Sequence, residues 1–371
     1  MAWFIGLMSG TSLDGVDGVL AQHTADEPLL LSHAHLHVTF DATLRCELLA
    51  LNHAGPNELH RAALAGNALA RSYAAVTAKL LDAVGLESGD VQALGAHGQT
   101  VRHQPGAVDG TGYTLQLLNG ALLAELTGID VVCDFRSRDV AAGGEGAPLV
   151  PAFHAACFAQ PGVDHAVLNL GGIANLTVLH GDGRVLGFDT GPANVLMDAW
   201  CQRHRGTSFD ASGAWAAGGH VDNAVLQQWL ADPYFARLPP KSTGRDLFNL
   251  AWLESRLGKS AALAPQTVMA TLAELTARTA ADALRRHAPI ASALWVCGGG
   301  AFNGHLMARL SALLPGVPVR STSELGIAAD QVEALAFAWL AQAYGERRAG
   351  NLPSVTGARG PRVLGALYPA A

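Results

Sequence analysis

The alternation of apolar and polar residues divides the chain into strands and helices whose pattern comes round twice. Residues 3–8 and 16–21 are apolar stretches of strand length separated by a Gly/Ser/Thr turn, which predicts a hairpin. A further strand follows at 30–39. Over 57–85, Ala and Leu recur at helical spacing, so one long helix or two are expected. A buried strand at 91–95, a strand at 115–118 and a helix at 120–127 complete this first block. The second block opens with a strand at 131–135 that runs into a Gly-rich segment, 141–148. Strands at 163–170, 173–179 and 185–189 have Gly turns between them and restate the N-terminal hairpin. Helices are expected at 192–205, 222–231, 266–287, 303–314 and 329–345, with a strand at 293–297. Residues 352–371 are rich in Gly and Pro and are expected to wrap back across the surface. A hairpin with helices, stated twice, predicts two related α/β lobes with a ligand cleft between them.

Composition narrows the class. Of 371 residues, 50% are hydrophobic and 15% charged, which supplies a large core and excludes a disordered chain. The length suits two domains. A formal net charge of −7 argues against a nucleic-acid partner but not against a nucleotide, which backbone N–H groups and helix N-termini can bind. Cys46, Cys133, Cys157, Cys201 and Cys297 are scattered and form no Cys-x-x-Cys pair, so neither a disulfide framework nor a zinc site is indicated. Residues 1–6 lack the basic and apolar regions of a signal peptide, and no apolar run has bilayer length. The expectation is a soluble cytoplasmic protein with no membrane partner.

Four segments carry candidate chemistry. Ser9, Gly10, Thr11, Ser12, Asp14, Gly15 and Asp17 lie in a turn rich in N–H and O–H donors, which suits a phosphate as well as it suits an ordinary hairpin. Asp14 and Asp17 are the carboxylates there that can hold Mg²⁺, directly or through water. Gly171-Gly172 forms a second tight turn, followed by Asp189 at the end of an apolar strand. A carboxylate so placed is either a general base facing a cleft or a cap for the helix near Pro192. Gly298, Gly299 and Gly300, with Asn303 beyond them, follow a strand and let a flat group such as adenine or ribose lie on the backbone; no Lys-Ser/Thr follows, so this is not a P-loop. In the fourth segment, Gln99 and Asp139 have the hydrogen-bonding chemistry that a polyhydroxylated ligand such as a sugar needs, and Arg136 and Arg138 match a substrate carboxylate. The bland alternatives are a solvated arginine pair and, for His97, a core histidine with a satisfied ring.

The three Gly-rich turns, in this order, resemble the phosphate and adenosine elements of the sugar kinase, heat-shock ATPase and actin superfamily. More specifically, the chain resembles the anhydro-N-acetylmuramic acid kinase family over essentially its whole length. The matching motifs are GLMSGTSLDGVDGVL (6–20), AHGQTVRH (96–103), ALLAELTGIDVV (121–132), DFRSRDVAAGGEGAPLVPAFH (134–154), LNLGGIANLT (168–177), GFDTGPANVLMDAW (187–200), PKSTGRDLFN (240–249) and VCGGGAFN (296–303).

The resemblance implies two ribonuclease-H-like α/β lobes with an interlobe active-site cleft. The expected domains are 1–130 with about 350–371, and 131–349. It implies ATP and Mg²⁺ as cofactors and an amino sugar as substrate. It assigns Asp189 as the base and Ser9 to Asp17 to the ATP phosphates, with Gly298 to Gly300 on the nucleoside. Gln99, Arg138 and Glu333 become the candidates for the sugar. Three departures stand out. The family usually reads Gly-Pro-Gly-Asn where this chain has Ala193, a change tolerated if φ there is negative. Residues 104–114 look like a surface insertion. The first strand carries Gly6 and Leu7 where the wider superfamily often has Asp. Competing expectations are a kinase for another hexose or N-acetylhexosamine, and an actin-like nucleotide-binding protein. A neutral hexose gives Arg136 and Arg138 no carboxylate to pair with, and a pure binder has no need of Asp189. A homodimer is the commonest state for such an enzyme.

Overall fold

The apolar run at the N-terminus forms β1 (Ala2–Met8), which turns back onto β2 (Gly15–Thr24) and β3 (Glu27–Thr39). This is a computed structural model, and it describes residues 1–10, 12–24, 27–258 and 263–370. By contacts the chain divides into two units, Met1–Cys157 with Gln331–Ala371, and Phe158–Asp330. In the first unit β4 (Val91–Ala96) lies parallel to β1, and β7 (Val131–Cys133) parallel to β4. The C-terminal strand Ala366–Tyr368 closes that edge by pairing antiparallel with β7. Between β4 and β7 the chain makes a separate hairpin, β5 (Gln99–Pro105) and β6 (Gly112–Leu117). Residues 104–114 are the tip of this hairpin and its flanks.

Both faces of the first sheet are covered by helices. Helix Glu58–Val84 buries Tyr73, Val76 and Leu80, with Val76 and Leu80 against the bare face of Gly18. Helix Val332–Gly345 crosses β1 and β4, close enough that a Cβ on Gly6 would overlap the carbonyl of Ala334 and one on Gly95 the carbonyl of Phe337. An aspartate cannot stand at Gly6 in this chain, because the helix backbone occupies the space a side chain would need.

In the second unit β8 (His165–Leu170), β9 (Ile173–Leu179) and β10 (Val185–Pro192) form an antiparallel meander. Parallel to β8 runs β11 (Leu294–Cys297), with β12 (Val319–Ser321) beyond it. The order β3-β2-β1-β4-β7 in one unit is therefore matched by β10-β9-β8-β11-β12 in the other. This is the ribonuclease-H-like order, present twice. Each unit has its own apolar core, built around Ile5, Leu7, Leu20 and Leu94 in the first and Leu168, Leu176, Phe188 and Trp229 in the second.

The division by contacts differs from the sequence boundaries of 130/131 and about 350. Strand β7 hydrogen-bonds to β4, so residues 131–133 join the first sheet. Helix Val332–Gly345 lies on β1 and β4 and belongs there too. Helices Ala42–Ala50 and Leu250–Leu257, strand β5 and strand β12 are additions to the predicted elements. The C-terminal residues do return across the first unit, as an edge strand.

Candidate active site

The turn after β1 is held from beneath. Ser9 is fully buried; the Tyr73 hydroxyl lies 2.7 Å from its Oγ, which donates in turn to the Gly98 carbonyl at 2.9 Å. Burial pushes the Tyr73 phenol well above its ordinary range, so it stays a donor. His97 supports the same turn: its Nδ1–H donates to the Ser9 carbonyl (3.1 Å) and its Nε2 accepts from Arg136 Nε (3.0 Å). Burial, reinforced by the Arg136 charge, lowers the His97 pKa to about 3 and keeps the ring neutral. Arg136 also donates to the Gly146 carbonyl at 2.8 Å. His97 and Arg136 thus brace the turns rather than reach outward, the core role that the sequence allowed for His97.

Gln99 opens β5 and is 1% exposed. Its Nε2 donates to the Gly10 carbonyl (3.0 Å), whereas its buried Oε1 has no hydrogen-bond partner among the described residues. A buried acceptor without a donor is costly, and a ligand hydroxyl or N–H would satisfy it. Thr11 lies outside the described residues. Ser12 donates to the carboxylate of exposed Asp14 at 2.6 Å. Leu13 takes a positive φ of 57°, and Gly15 sits so tightly against Val38 on β3 that a Cβ would overlap its carbonyl.

Asp17 faces β3, where His37 Nδ1 lies at 3.0 Å and His35 Nε2 at 3.4 Å. Burial pulls the Asp17 carboxyl up, but the contacts with both histidines outweigh it and leave it below its ordinary range. The hydrogen bond to Asp17 raises His37 correspondingly. No cluster of three or more His, Cys, Asp or Glu suited to a metal ion occurs among the described residues. Asp14 is the carboxylate of this turn that is open to solvent, which fits a hydrated cation held mainly by phosphate oxygens.

The remaining sugar-side candidates in this unit are scattered. Arg138 is exposed on helix Ser137–Ala141 and, with Arg359 and Arg362, lines a shallow hollow of about 200 Å³. Asp139 is fully buried and bonded to Gly146 N, Asn351 Nδ2 and Thr356 Oγ1 at 2.6–2.8 Å, so it fastens the C-terminal segment instead of meeting a ligand. Glu333 stands in the first turn of helix Val332–Gly345, one turn before Phe337, whose ring packs on His97 with centroids 4.8 Å apart.

In the second unit the β8–β9 turn is fixed by the start of helix Asn194–Arg205. Ala193 N and Val195 N donate to the Gly172 carbonyl and Asn194 N to that of Gly171, at 3.0–3.1 Å, while Asn194 Nδ2 reaches both Leu170 O and Gly171 O at 2.9 Å. The carbonyls of the turn are thereby occupied. Ala193 has φ −113°, the negative value that lets a methyl group stand where the family has Gly. Gly298 (φ 78°) packs on Asn169 and Leu170, and Gly300 on Leu170, whereas Gly299 is exposed with nothing within 4 Å of a would-be Cβ. Asn303 caps helix Gly304–Leu313, its Oδ1 accepting from Leu306 N at 3.0 Å.

Asp189 is 7% exposed on β10, where it pairs with Asn175, which pairs in turn with Asn169. Directly paired residues share a face, so a row of one carboxylate and two amides crosses three strands. Asn169 Oδ1 and Asn175 Oδ1 are buried and without hydrogen bonds among the described residues. Asp189 Oδ2 accepts from Thr243 N (2.9 Å), its carbonyl from Tyr234 Oη (2.8 Å), and its N–H donates to the Lys241 carbonyl (3.2 Å). The helix after it is capped at Ala193, so Asp189 is not a helix cap. A buried, rigidly held carboxylate of this kind can take a proton from a bound water.

Asn169, Asn175, Lys241 and Thr243 were not singled out by sequence reasoning. The two asparagines flank Gly171-Gly172, a signal that was available. Lys241 and Thr243 reach Asp189 only through tertiary folding.

A sequence profile described as anhydro-N-acetylmuramic acid kinase matches residues 2–370. The chain is 59% identical over 372 aligned residues to the anhydro-N-acetylmuramic acid kinase of Variovorax paradoxus, covering 99% of each chain. It is 60% identical to that of Bordetella pertussis, covering 99% of this chain and 96% of the other. It is 56% identical to that of Albidiferax ferrireducens, covering 99% of both.

Proposed function

The chain belongs to the anhydro-N-acetylmuramic acid kinase family, and from that premise we propose that Asp189 is the base of an ATP-dependent reaction on 1,6-anhydro-N-acetylmuramic acid. Asp189 takes a proton from water as the water oxygen bonds to C1 of the sugar. The C1–O6 bond of the anhydro bridge breaks, and O6 attacks the γ-phosphorus of ATP with departure of ADP. The products are N-acetylmuramic acid 6-phosphate and ADP, and the reaction serves peptidoglycan recycling. The observation that carries this reading is the burial of Asp189 within β10 with Thr243 N on its Oδ2. One sugar–phosphate bond forms as the strained bridge opens, so a single base suffices to start both events.

ATP is bound in this reading by the two turns and the glycine triplet: Gly10, Thr11, Ser12 and Gly15 with Gly171 and Gly172 for the phosphates, and Gly298, Gly299, Gly300 and Asn303 for the nucleoside, while Ser9 supports the first turn from beneath. Backbone N–H groups converging on phosphate need no net positive charge on the protein. Asp14, the open carboxylate of the turn, and Asp17, which is engaged by His35 and His37, are the residues that would hold Mg²⁺, directly or through water. The chemistry it supplies when bound is neutralisation of phosphate charge. For the sugar, Gln99 offers its unbonded Oε1 to a hydroxyl or amide, Arg138 matches the lactyl carboxylate, and Glu333 accepts from a hydroxyl. The cytoplasm, where ATP is supplied, is the proposed compartment, and the five cysteines are free. A homodimer is the proposed assembly.

The variant Asp189→Asn keeps the size and the Thr243 contact but removes the base. Turnover is expected to fall by about 10²–10⁴ while ATP-analogue affinity, read by calorimetry, stays within a few-fold. Turnover close to that of the unmodified enzyme would remove Asp189 from this role.

A further inference from the structure

Lys241 is 5% exposed, an unusual position for an ammonium group. Its Nζ makes one long hydrogen bond, 3.4 Å to the Tyr234 carbonyl, and lies 4.7 Å from the Tyr234 ring centroid and 5.8 Å from that of Phe188. It has no ion pair among the described residues. The charged and titratable groups that act on it are Arg237 on the preceding loop, Arg286 and His287 at the end of helix Pro265–His287, and Asp189 on β10. Burial first, then the charges of Arg286 and Arg237, lower its pKa to about 8, against the opposing pull of Asp189. Packing alone does not call for such a group: a methionine fills nearly the same space without desolvating a charge among arginines.

What the ammonium does have is a shared mount with Asp189. The Lys241 carbonyl accepts the Asp189 N–H, and Tyr234 joins the two, its hydroxyl on the Asp189 carbonyl and its own carbonyl and ring on the ammonium. Among the charges named around Lys241, Asp189 is the one of opposite sign.

We propose that Lys241 is a positioning residue for Asp189: its buried positive charge keeps the carboxylate ionised and oriented toward the attacking water. This rests on the reading of Asp189 as the base. The effect is a field across a poorly polarisable interior and needs no direct contact. Because coupling between two titrating groups is mutual, each must register the loss of the other.

The chain holds three lysines, Lys79, Lys241 and Lys259, so the protein grown with ¹³Cε-lysine gives few signals, and Lys241→Met identifies the one in question. Its titration is expected near pH 8 and should move to lower pH in Asp189→Asn. A midpoint that does not move overturns the proposal, whatever the reaction proves to be. In kinetics, Lys241→Met should lower kcat at pH 7 at least tenfold, leave KM for ATP within twofold, and shift the acid limb of the kcat profile upward. Lys241→Arg, which stays charged, should recover most of kcat and hold activity above pH 8. A Lys241→Met enzyme with an unshifted profile would sink the idea, since a purely structural lysine can change the height of that profile but not its midpoint. Absence of turnover in the unmodified enzyme would refute the proposed reaction instead, and the lysine titration would still decide the coupling.

Discussion

His97 shows how one residue type can mislead until its bonds are counted. A histidine in a Gly-rich, polar motif invites a catalytic role, yet here both ring nitrogens are occupied and burial holds the ring neutral. His154 is likewise lowered to about 3 by burial, and His103 to about 4 by burial and then the Arg136 charge. Each has a folded pKa below its unfolded value of about 6.5, so the unfolded chain binds more protons between those limits. Stability is therefore full above about pH 6.5 and falls as pH drops toward the folded values. At pH 5 the loss is expected to be as much as about 2 kcal/mol per histidine. Urea melts at pH 7 and pH 5 should show this loss, and His97→Gln should reduce the difference between the two. Equal stability at both pH values would mean that these rings are not held neutral.

At the scale of elements, the close crossing of helix Val332–Gly345 over β1 and β4 controls the first unit. Gly6→Ala would drive a methyl group into the Ala334 carbonyl, with no flexible side chain to yield, and should cost upward of about 3 kcal/mol or prevent folding. Gly299→Ala is the contrast. Its methyl meets nothing within 4 Å, so denaturation should be unchanged while KM for ATP rises several-fold if the nucleoside lies there. A stable Gly6→Ala protein, or an unaltered KM in Gly299→Ala, would contradict these assignments. The sequence made the hairpins legible because alternation and Gly turns are local signals. Gly6 was readable only as a residue of the first strand, since the helix that demands its bare face begins more than 300 residues later. Strand β7 was misallotted for the same reason: which sheet a three-residue strand joins is settled by its partner, not by its own residues.

For the whole molecule, two units with one strand order account for the repeated sequence pattern and for glycine turns at equivalent places in each. The candidate base was legible because Asp189 closes an apolar run just before Gly-Pro, although the strand itself continues to Pro192. Its surroundings were not, since Tyr234, Lys241 and Thr243 come from a segment with no strand or helix periodicity. Ser9 and Asp139 carry polar groups that fit a ligand, but folding turns them inward, and nothing in their local sequence says so. In the proposed reaction, opening of the anhydro bridge by water and phosphorylation of O6 are one coupled event. The measurement that tests it most directly is turnover of ATP and 1,6-anhydro-N-acetylmuramic acid in ¹⁸O-labelled water, with the product read by mass spectrometry. N-acetylmuramic acid 6-phosphate incubated in the same water serves as the exchange control. One label at the anomeric oxygen is expected, gained faster than in the control, and none in the phosphate. A sugar phosphate unlabelled at that position, label in the phosphate, or phosphorylation of glucose or N-acetylglucosamine in preference to the anhydro sugar would contradict it.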